Sequence, residues 1–195
     1  MKKHLFDSIK MLAVMTVFTG VFYPLFMTFV ANIVFPHQAT GSLIRIDGKV
    51  IGSKLIGQKF SNDKYFWPRP SAIGYNPLPS GGSNYGPTSD TLKHLVEIRK
   101  AAFIRLNDLP ANTQVPSDML YASGSGLDPD ISPEAAELQI VRVARARGFH
   151  ASETKVLREL VKSHIETPQL GFLGEPRVNV LLLNIALDSL DVSRE

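Results

Sequence analysis

The stretch PSGGSNYGPTSD, residues 79–90, has the residue types of a phosphate-binding loop. Backbone N–H groups of glycine-rich loops cradle phosphates, and in nucleotide sites a lysine reaches the terminal phosphates. No lysine lies close to Gly81 and Gly82, since the first one after them is Lys93. The patterns G-x-x-x-x-G-K-[ST] and G-x-G-x-x-G do not occur in the chain. Turn formation therefore explains these glycines better than nucleotide binding does.

Oxygen-bearing side chains alternate in a second stretch, at Asp128, Asp130, Ser132 and Glu134. Oxygen ligands at this spacing begin calcium-binding loops. The glycine and the distal glutamate of such a loop do not follow in register, whereas carboxylates at the positive N-terminal end of a helix are common. We interpret these acids as residues of a helix start, with calcium binding as the open alternative.

Patterns typical of catalysis are weak. Gly124-Ser125-Gly126 lacks the spacing of the nucleophile elbow G-x-S-x-G, and the five histidines form no H-E-x-x-H motif. The absence of cysteine excludes disulfides and thiolate metal sites. The run RVARAR, with Arg142, Arg145 and Arg147, is predicted to be a solvated helix face, with phosphate or lipid contact as the alternative. We predict no catalytic residue and no metal site.

The charge distribution argues against a nucleic-acid partner. Residues 1–36 hold three lysines and one aspartate, which leaves 18 basic and 17 acidic residues in the remainder. Nucleic-acid binding needs a basic surface that releases counterions from the phosphates. The nearly neutral remainder predicts no such binding.

An uncharged run of 25 residues, 11–35, predicts a transmembrane helix. About 20 apolar residues suffice to span the hydrocarbon core, and a cleaved signal peptide would have a shorter run and a small-residue cleavage pattern. Three lysines in the head, residues 1–10, favour a cytoplasmic N-terminus. Residues 36–195 are then predicted to form a soluble domain outside the cytoplasmic membrane of a bacterium.

Small residues share one face of this helix when its positions are plotted at helical spacing, opposite a face of phenylalanines. Close approach of helix backbones in a membrane uses such faces. We predict that this face docks on a partner helix; its members are Ala13, Thr16, Gly20, Pro24 and Ala31.

The soluble domain is predicted to be α/β or α+β, with an N-terminal hairpin and about four helices. Asp47-Gly48 suits the hairpin turn, and Gly52 and Gly57 mark bends or bulges. Either Thr88 or Ser89 can cap the first of these helices, and Ser132 has the character of a cap for the second. Further helices are predicted from SETKVLRELVKSHI and from RVNVLLLNIALDSL, where a buried strand is the alternative.

The residues between the hairpin and the first of these helices, 61–90, are predicted to be irregular because of their prolines and glycines. Aromatic residues in a long loop argue against disorder and favour a binding role. With Gly81 and Gly82, the aromatic residues Trp67, Tyr75 and Tyr85 are predicted to meet a partner.

Several long motifs, among them YFWPRPSA, YNPLPSGGSNYGPTSD, ASGSGLDPDISPEAAELQIVRVARARG and GEPRVNVLLLNIALDSL, resemble the KdpC family, the accessory subunit of the bacterial potassium-importing Kdp ATPase. The resemblance runs from the anchor to about Leu190, and it departs from the family at Asp130, where histidine is frequent. It implies a single-span subunit whose partners are the channel-like KdpA, the ATP-hydrolysing KdpB and the small KdpF. ATP and potassium would be handled by the complex, with no cofactor bound directly by this chain.

Two alternatives stay open at this point. The family has also been described as a catalytic chaperone that raises the ATP affinity of KdpB, which the predicted orientation would restrict to coupling between distant sites. A membrane-anchored extracytoplasmic protein that binds sugars or peptides through the aromatic loop is the third hypothesis.

Overall fold

The computed structural model describes residues 2–192 of the chain. These residues fall into two compact units, Met1–Ser53 and Lys54–Glu195. The first contains a long apolar helix and a small hairpin, and the second contains a mixed α/β domain. This is the predicted combination of one N-terminal apolar helix with a soluble-type domain.

The apolar helix runs over Lys2–Val34 and is long and apolar enough to cross a membrane. It consists of α1, Lys2–Val17, a π-helical turn, Phe18–Phe22, and α2, Tyr23–Val34. Pro24 has no N–H to donate. In the turn before it, the helix changes from the i to i−4 hydrogen bonds of an α-helix to the i to i−5 hydrogen bonds of a π-helix, and the N–H of Tyr23 donates to the carbonyl of Phe18. The proline is thereby accommodated without ending the helix. A short helix α3, Pro36–Ala39, follows.

The hairpin of the first unit pairs β1, Leu43–Ile46, with β2, Lys49–Ser53. Asp47 and Gly48 have φ angles of 50° and 76°, as a two-residue turn requires, which confirms the prediction for this dipeptide. The register shifts between Ile44, which is opposite Gly52, and Arg45, which is opposite Val50, and this bulge lies next to Gly52 as predicted.

The second unit begins with an irregular segment, residues 54–89, that contains neither helix nor strand. Its regular elements follow in this order: α4, Asp90–Leu106; a 3₁₀ turn, Ser117–Met119; β3, Asp130–Ile131; α5, Pro133–Ala146; α6, Ala151–Ser163; β4, Ile165–Glu166; β5, Arg177–Asn179; and α7, Val180–Val192.

The predicted starts of α4 and α5 are confirmed by their caps, whereas the helix predicted over residues 152–165 runs over Ala151–Ser163, and Ile165 lies in β4. The hydroxyl of Ser89 accepts a hydrogen bond from the N–H of Leu92, and that of Ser132 accepts one from Ala135. Gly148 follows α5 with a φ of 66°, a conformation that glycine adopts without steric cost.

The sheet has the order β3-β5-β4, and both pairings are antiparallel. The prediction that one helix covers residues 177–190 is wrong at its start, because Arg177–Asn179 forms the central strand and the helix begins at Val180. Val178 is paired with β3 on one side and with β4 on the other, and this strand pairing outweighs the helical spacing of the polar residues in RVNVLLLNIALDSL. The alternative of a buried strand holds for these three residues.

The core lies on the inner face of α5, which packs against α6 and β5. Ile140, Leu157, Val178 and Leu183 are fully buried in it. Phe66, from the irregular segment, is also fully buried. The irregular segment therefore contributes a side chain to the core.

Candidate functional site

Side-chain amides hold the aromatic part of the irregular segment in place of a strand partner. Asn184 accepts a hydrogen bond from the N–H of Phe66 at 2.8 Å and donates one to its carbonyl at 3.0 Å. Gln139 does the same for Trp67, at 2.7 and 3.2 Å. Both side-chain amides are buried. The N–H and carbonyl groups of Phe66 and Trp67 have no strand to pair with, and these amides supply their hydrogen-bond partners inside the domain.

Arg142 is a buried arginine that joins the irregular segment to helices α4 and α5. Its guanidinium donates to the carbonyls of Asp63 and Tyr65 at 2.6 and 2.9 Å. It also donates to the side-chain oxygens of Asn107 and Gln139 at 2.9 and 2.7 Å. Burial lowers the pKa of Arg142 to about 10, which leaves it protonated at neutral pH.

The prediction that RVARAR forms a solvated face is therefore wrong for two of its three arginines. Arg142 is fully buried, and the side chain of Arg147 is only 3% exposed. Arg147 donates to the carbonyl of Lys64 and to Asp188. Only Arg145 lies on the surface, where it pairs with Asp108. Backbone carbonyls that pair with no neighbouring strand accept hydrogen bonds from these two arginines. Those hydrogen bonds offset the free-energy cost of burying the charges.

The glycines of PSGGSNYGPTSD lie against the backbone of a second glycine-containing stretch. The N–H of Gly81 donates to the carbonyl of Ser125 at 3.0 Å. A Cβ on Gly82 would lie 3.0 Å from the carbonyl oxygen of Gly124, and one on Gly126 would lie 2.9 Å from the carbonyl oxygen of Gly81. Gly126 also has a φ of 71°. Close approach of two backbones explains the need for glycine in both stretches.

The aromatic residues predicted to meet a partner have different positions. The ring of Trp67 is stacked on the guanidinium of Arg142, whose central carbon is 3.6 Å from the ring centroid. The hydroxyl of Tyr75 donates to the carbonyl of Arg69, and burial raises the pKa of Tyr75 to about 12. Tyr85 is 45% exposed. Of the three, Trp67 and Tyr75 have evident structural roles within the domain.

The small residues predicted to dock lie along the apolar helix. Ala13 and Thr16 are in α1, Gly20 is in the π-helical turn, and Pro24 and Ala31 are in α2. On the phenylalanine side, the rings of Phe18, Phe22 and Phe26 stack in sequence, with centroids 5.6 and 6.3 Å apart.

Arginines pair with the acids of the alternating stretch. Asp128 pairs with Arg69 at 2.6 Å, and Asp130 pairs with Arg177 at 3.1 Å. Burial raises the pKa of Asp130, although Arg177 and Asn179 oppose this. Across residues 2–192, no three acidic or histidine side chains converge in a way that could hold a metal ion. Two of the proposed calcium ligands are thus engaged with cations.

Arg177 also pairs with Glu166 at 3.0 Å, and Lys54 approaches the same carboxylate at 2.7 Å. The hydrogen bond from Lys54, supported by Arg177, holds the pKa of Glu166 below its usual range. These pairs connect β3, β4 and β5 along one side of the sheet.

One apolar surface was missed by the sequence analysis, namely the hairpin at residues 169–173 that connects β4 to β5. Gln169 and Leu173 exchange two backbone hydrogen bonds, of 3.0 and 2.9 Å. Leu170 and Phe172 at its tip are 83% and 73% exposed. Apolar residues interleaved with glycine, in QLGFLGEP, were the available indication of an exposed turn.

A single apolar helix followed by a small α/β domain is the architecture of a membrane-anchored subunit or binding protein. A family model described as KdpC, the K⁺-transporting ATPase c chain, matches residues 5–189. The chain therefore belongs to the KdpC family. It is similar to the potassium-transporting ATPase KdpC subunit of Geobacter sulfurreducens, with 53% identity over 96% of this chain and 98% of the relative. The KdpC subunit of Methylococcus capsulatus is 52% identical over 97% of this chain and 100% of its own length.

Proposed function

We propose that this chain is a non-catalytic accessory subunit of a high-affinity, ATP-driven potassium uptake complex. It assembles with the channel-like KdpA, the ATP-hydrolysing KdpB and the small KdpF, and it stabilises the complex. Potassium and ATP are handled by those partners, and this chain binds no cofactor of its own. Family membership supports the proposal at the level of the complex, and the exposed hairpin at residues 169–173 is the structural observation that supports a docking role.

The hairpin has the properties of a preformed docking element. Its backbone is fixed by reciprocal hydrogen bonds, so little ordering entropy remains to be lost on binding. Leu170 has a φ of 54°, a left-handed conformation that costs an apolar residue about 1–2 kcal/mol. Backbone strain that holds two large apolar side chains in solvent is more readily explained by binding than by folding.

Replacement of Phe172 by serine tests this role. Burying a phenylalanine side chain contributes about 1.5–3 kcal/mol, so Phe172→Ser should reduce co-purification of the other subunits about tenfold or more. Ile98→Ser, at a half-exposed position of α4, is the matched control and should leave co-purification unchanged. Equal recovery of the complex with both variants would contradict docking through the hairpin.

The membrane helix provides a second proposed contact, through its small residues. Gly20→Leu should weaken co-purification because a large side chain prevents close helix approach. Met15→Leu, which is on the opposite side by helical spacing, is the control. If Gly20→Leu and Met15→Leu chains co-purify equally well, the helix does not dock through that face.

Orientation decides between this proposal and the alternative of a catalytic chaperone that contacts ATP. We propose that residues 1–10 are cytoplasmic and that the soluble domain lies outside the cytoplasmic membrane. The chain has no cysteine, so a cysteine at Ser83 is a unique label. An impermeant thiol reagent should modify it in intact cells, and modification only after lysis would favour the chaperone.

A further inference from the structure

A wide cleft opens beside the three-stranded sheet of the second unit, and we call it the acidic cleft. The ends of β3, β4 and β5, the first two turns of α5 and the 3₁₀ turn form its walls. Its volume is about 1050 Å³. That is at the upper end of the range for small-molecule pockets, and the cleft is open, so its dimensions suit a segment of polypeptide.

Negative charge is concentrated at this cleft although the domain as a whole is nearly neutral. Six carboxylates and only three basic side chains line it, which gives a net charge of −3. Three of the six are engaged by arginines, namely Asp128, Asp130 and Glu137. Asp118 accepts hydrogen bonds from the N–H and the hydroxyl of Ser132. Within residues 2–192, Glu134 and Glu175 have no cation within ion-pair distance.

The cleft also has an apolar base. The half-buried Leu138 and Ile165 supply its accessible apolar surface, and they lie beside Ile131 and Val161, which are buried at 2% exposure. A hydrated inorganic cation makes no use of such a surface. A lysine or arginine side chain does, because its aliphatic stem packs on apolar groups while its charged end reaches the acids.

The same charges disfavour other occupants. Anionic lipid headgroups and phosphates are repelled by unpaired carboxylates. A small apolar ligand would leave Glu134 and Glu175 without partners. A protein segment that carries basic and apolar side chains together matches both properties of the cleft.

We propose that the acidic cleft is a docking site for a segment of a partner protein that bears lysine or arginine next to apolar residues. The assignment rests on the proposed function insofar as the partner is a subunit of the transporter. The exposed hairpin at residues 169–173 connects Ile165 to Glu175 and Arg177, all of which line the cleft. The two surfaces are thus continuous along the chain, and one partner can engage both.

Photo-crosslinking of the full chain in cells tests the assignment. A photoreactive phenylalanine derivative replaces Lys162, which lines the cleft but is not one of its acids. Mass spectrometry should find adducts with a protein segment that has lysine or arginine within a few residues of the attachment point. Adducts with lipid only, adducts with acidic segments, or no adduct would overturn the proposal.

Charge reversal supplies the matched comparison. Glu175→Lys should lower the adduct yield about fivefold, because an attractive charge at the rim becomes repulsive. Glu97→Lys makes the same change at an exposed position of α4 outside the cleft and should have no effect. An equal response to the two substitutions would overturn the proposal.

Failure of this proposal can be distinguished from failure of the proposed function. If the chain co-purifies with the other transporter subunits but gives no basic adduct, the accessory role stands and the cleft assignment falls. If it fails to co-purify with them but gives a basic adduct with another protein, the cleft assignment stands and the accessory role falls.

Discussion

Replacement of Arg142 by methionine should strongly destabilise the second unit. Methionine replaces the aliphatic stem of the arginine with an unbranched apolar side chain. It removes every hydrogen bond that the guanidinium donates, and the acceptors of those bonds are in Asp63, Tyr65, Asn107 and Gln139. The side-chain oxygens of Asn107 and Gln139 are buried, and each loses a hydrogen bond from a charged donor worth about 1.5–3 kcal/mol, so the total loss should be about 3–6 kcal/mol. For a unit of this size, the melting temperature should fall by about 10 °C or more.

Arg145→Met is the matched control on the same helix. Arg145 pairs with Asp108 at the surface, and 57% of its side chain is exposed, so its loss should cost about 0–1 kcal/mol. Arg142→Lys should be intermediate, because an ammonium group keeps the charge but cannot reach all the acceptors of a planar guanidinium.

Urea unfolding of the full chain in detergent measures these effects. Trp67 is the only tryptophan, and its ring is stacked on Arg142, so its fluorescence reports directly on this region. The transition midpoint is the quantity to compare, since removal of the guanidinium also changes the emission itself. Equal midpoints for Arg142→Met and Arg145→Met would refute the structural role of the buried arginine.

Three further predictions use the same unfolding measurement. Gly82→Ala should lower the free energy of unfolding by about 1 kcal/mol, because the new Cβ would lie 3.0 Å from a backbone carbonyl oxygen. Gly81→Ala should be nearly neutral, because its Cβ would meet no atom within 4 Å. The reverse order of stabilities would contradict the proposed packing. Tyr75 has its pKa raised to about 12 from an unfolded value of about 10, so its stabilising contribution is complete below about pH 10 and is lost as the pH rises through about 12. The stability of the original chain relative to Tyr75→Phe should therefore fall between about pH 10 and pH 12, and a constant difference would exclude the titration. Ser132→Ala should cost about 1 kcal/mol through loss of the cap on the N–H of Ala135, and an unchanged midpoint would show that the cap contributes nothing.

Local signals in the sequence were sufficient to predict the helix starts and the hairpin. Asp47-Gly48, Ser89 and Ser132 each act through bonds within a few residues, which a sequence displays directly. The predicted helix at residues 177–190 failed at its first three residues because strand pairing with β3 and β4 is a contact between distant segments. Tertiary pairing of this kind leaves no trace in local spacing.

The burial of Arg142 could have been anticipated in part. Leu138 lies four residues before it and Ala135 seven residues before it, which places the arginine on the apolar face of α5. Two of its four acceptors are carbonyls 77–79 residues away in the chain, and no pattern in RVARAR points to them. The acidic cleft likewise combines residues from 69 to 177, whereas the hairpin at residues 169–173 is indicated in the sequence only by glycines between apolar residues.

The amide pairs that replace a strand have a consequence for hydrogen exchange. The N–H groups of Phe66 and Trp67 belong to a segment with no regular structure, yet their acceptors are buried side chains of α7 and α5. Neither proton can reach solvent by fraying of a loop, since release requires those helices to separate. Exchange at these two positions should therefore be as slow as in the core helices, so that part of a segment without regular structure is as protected as the core.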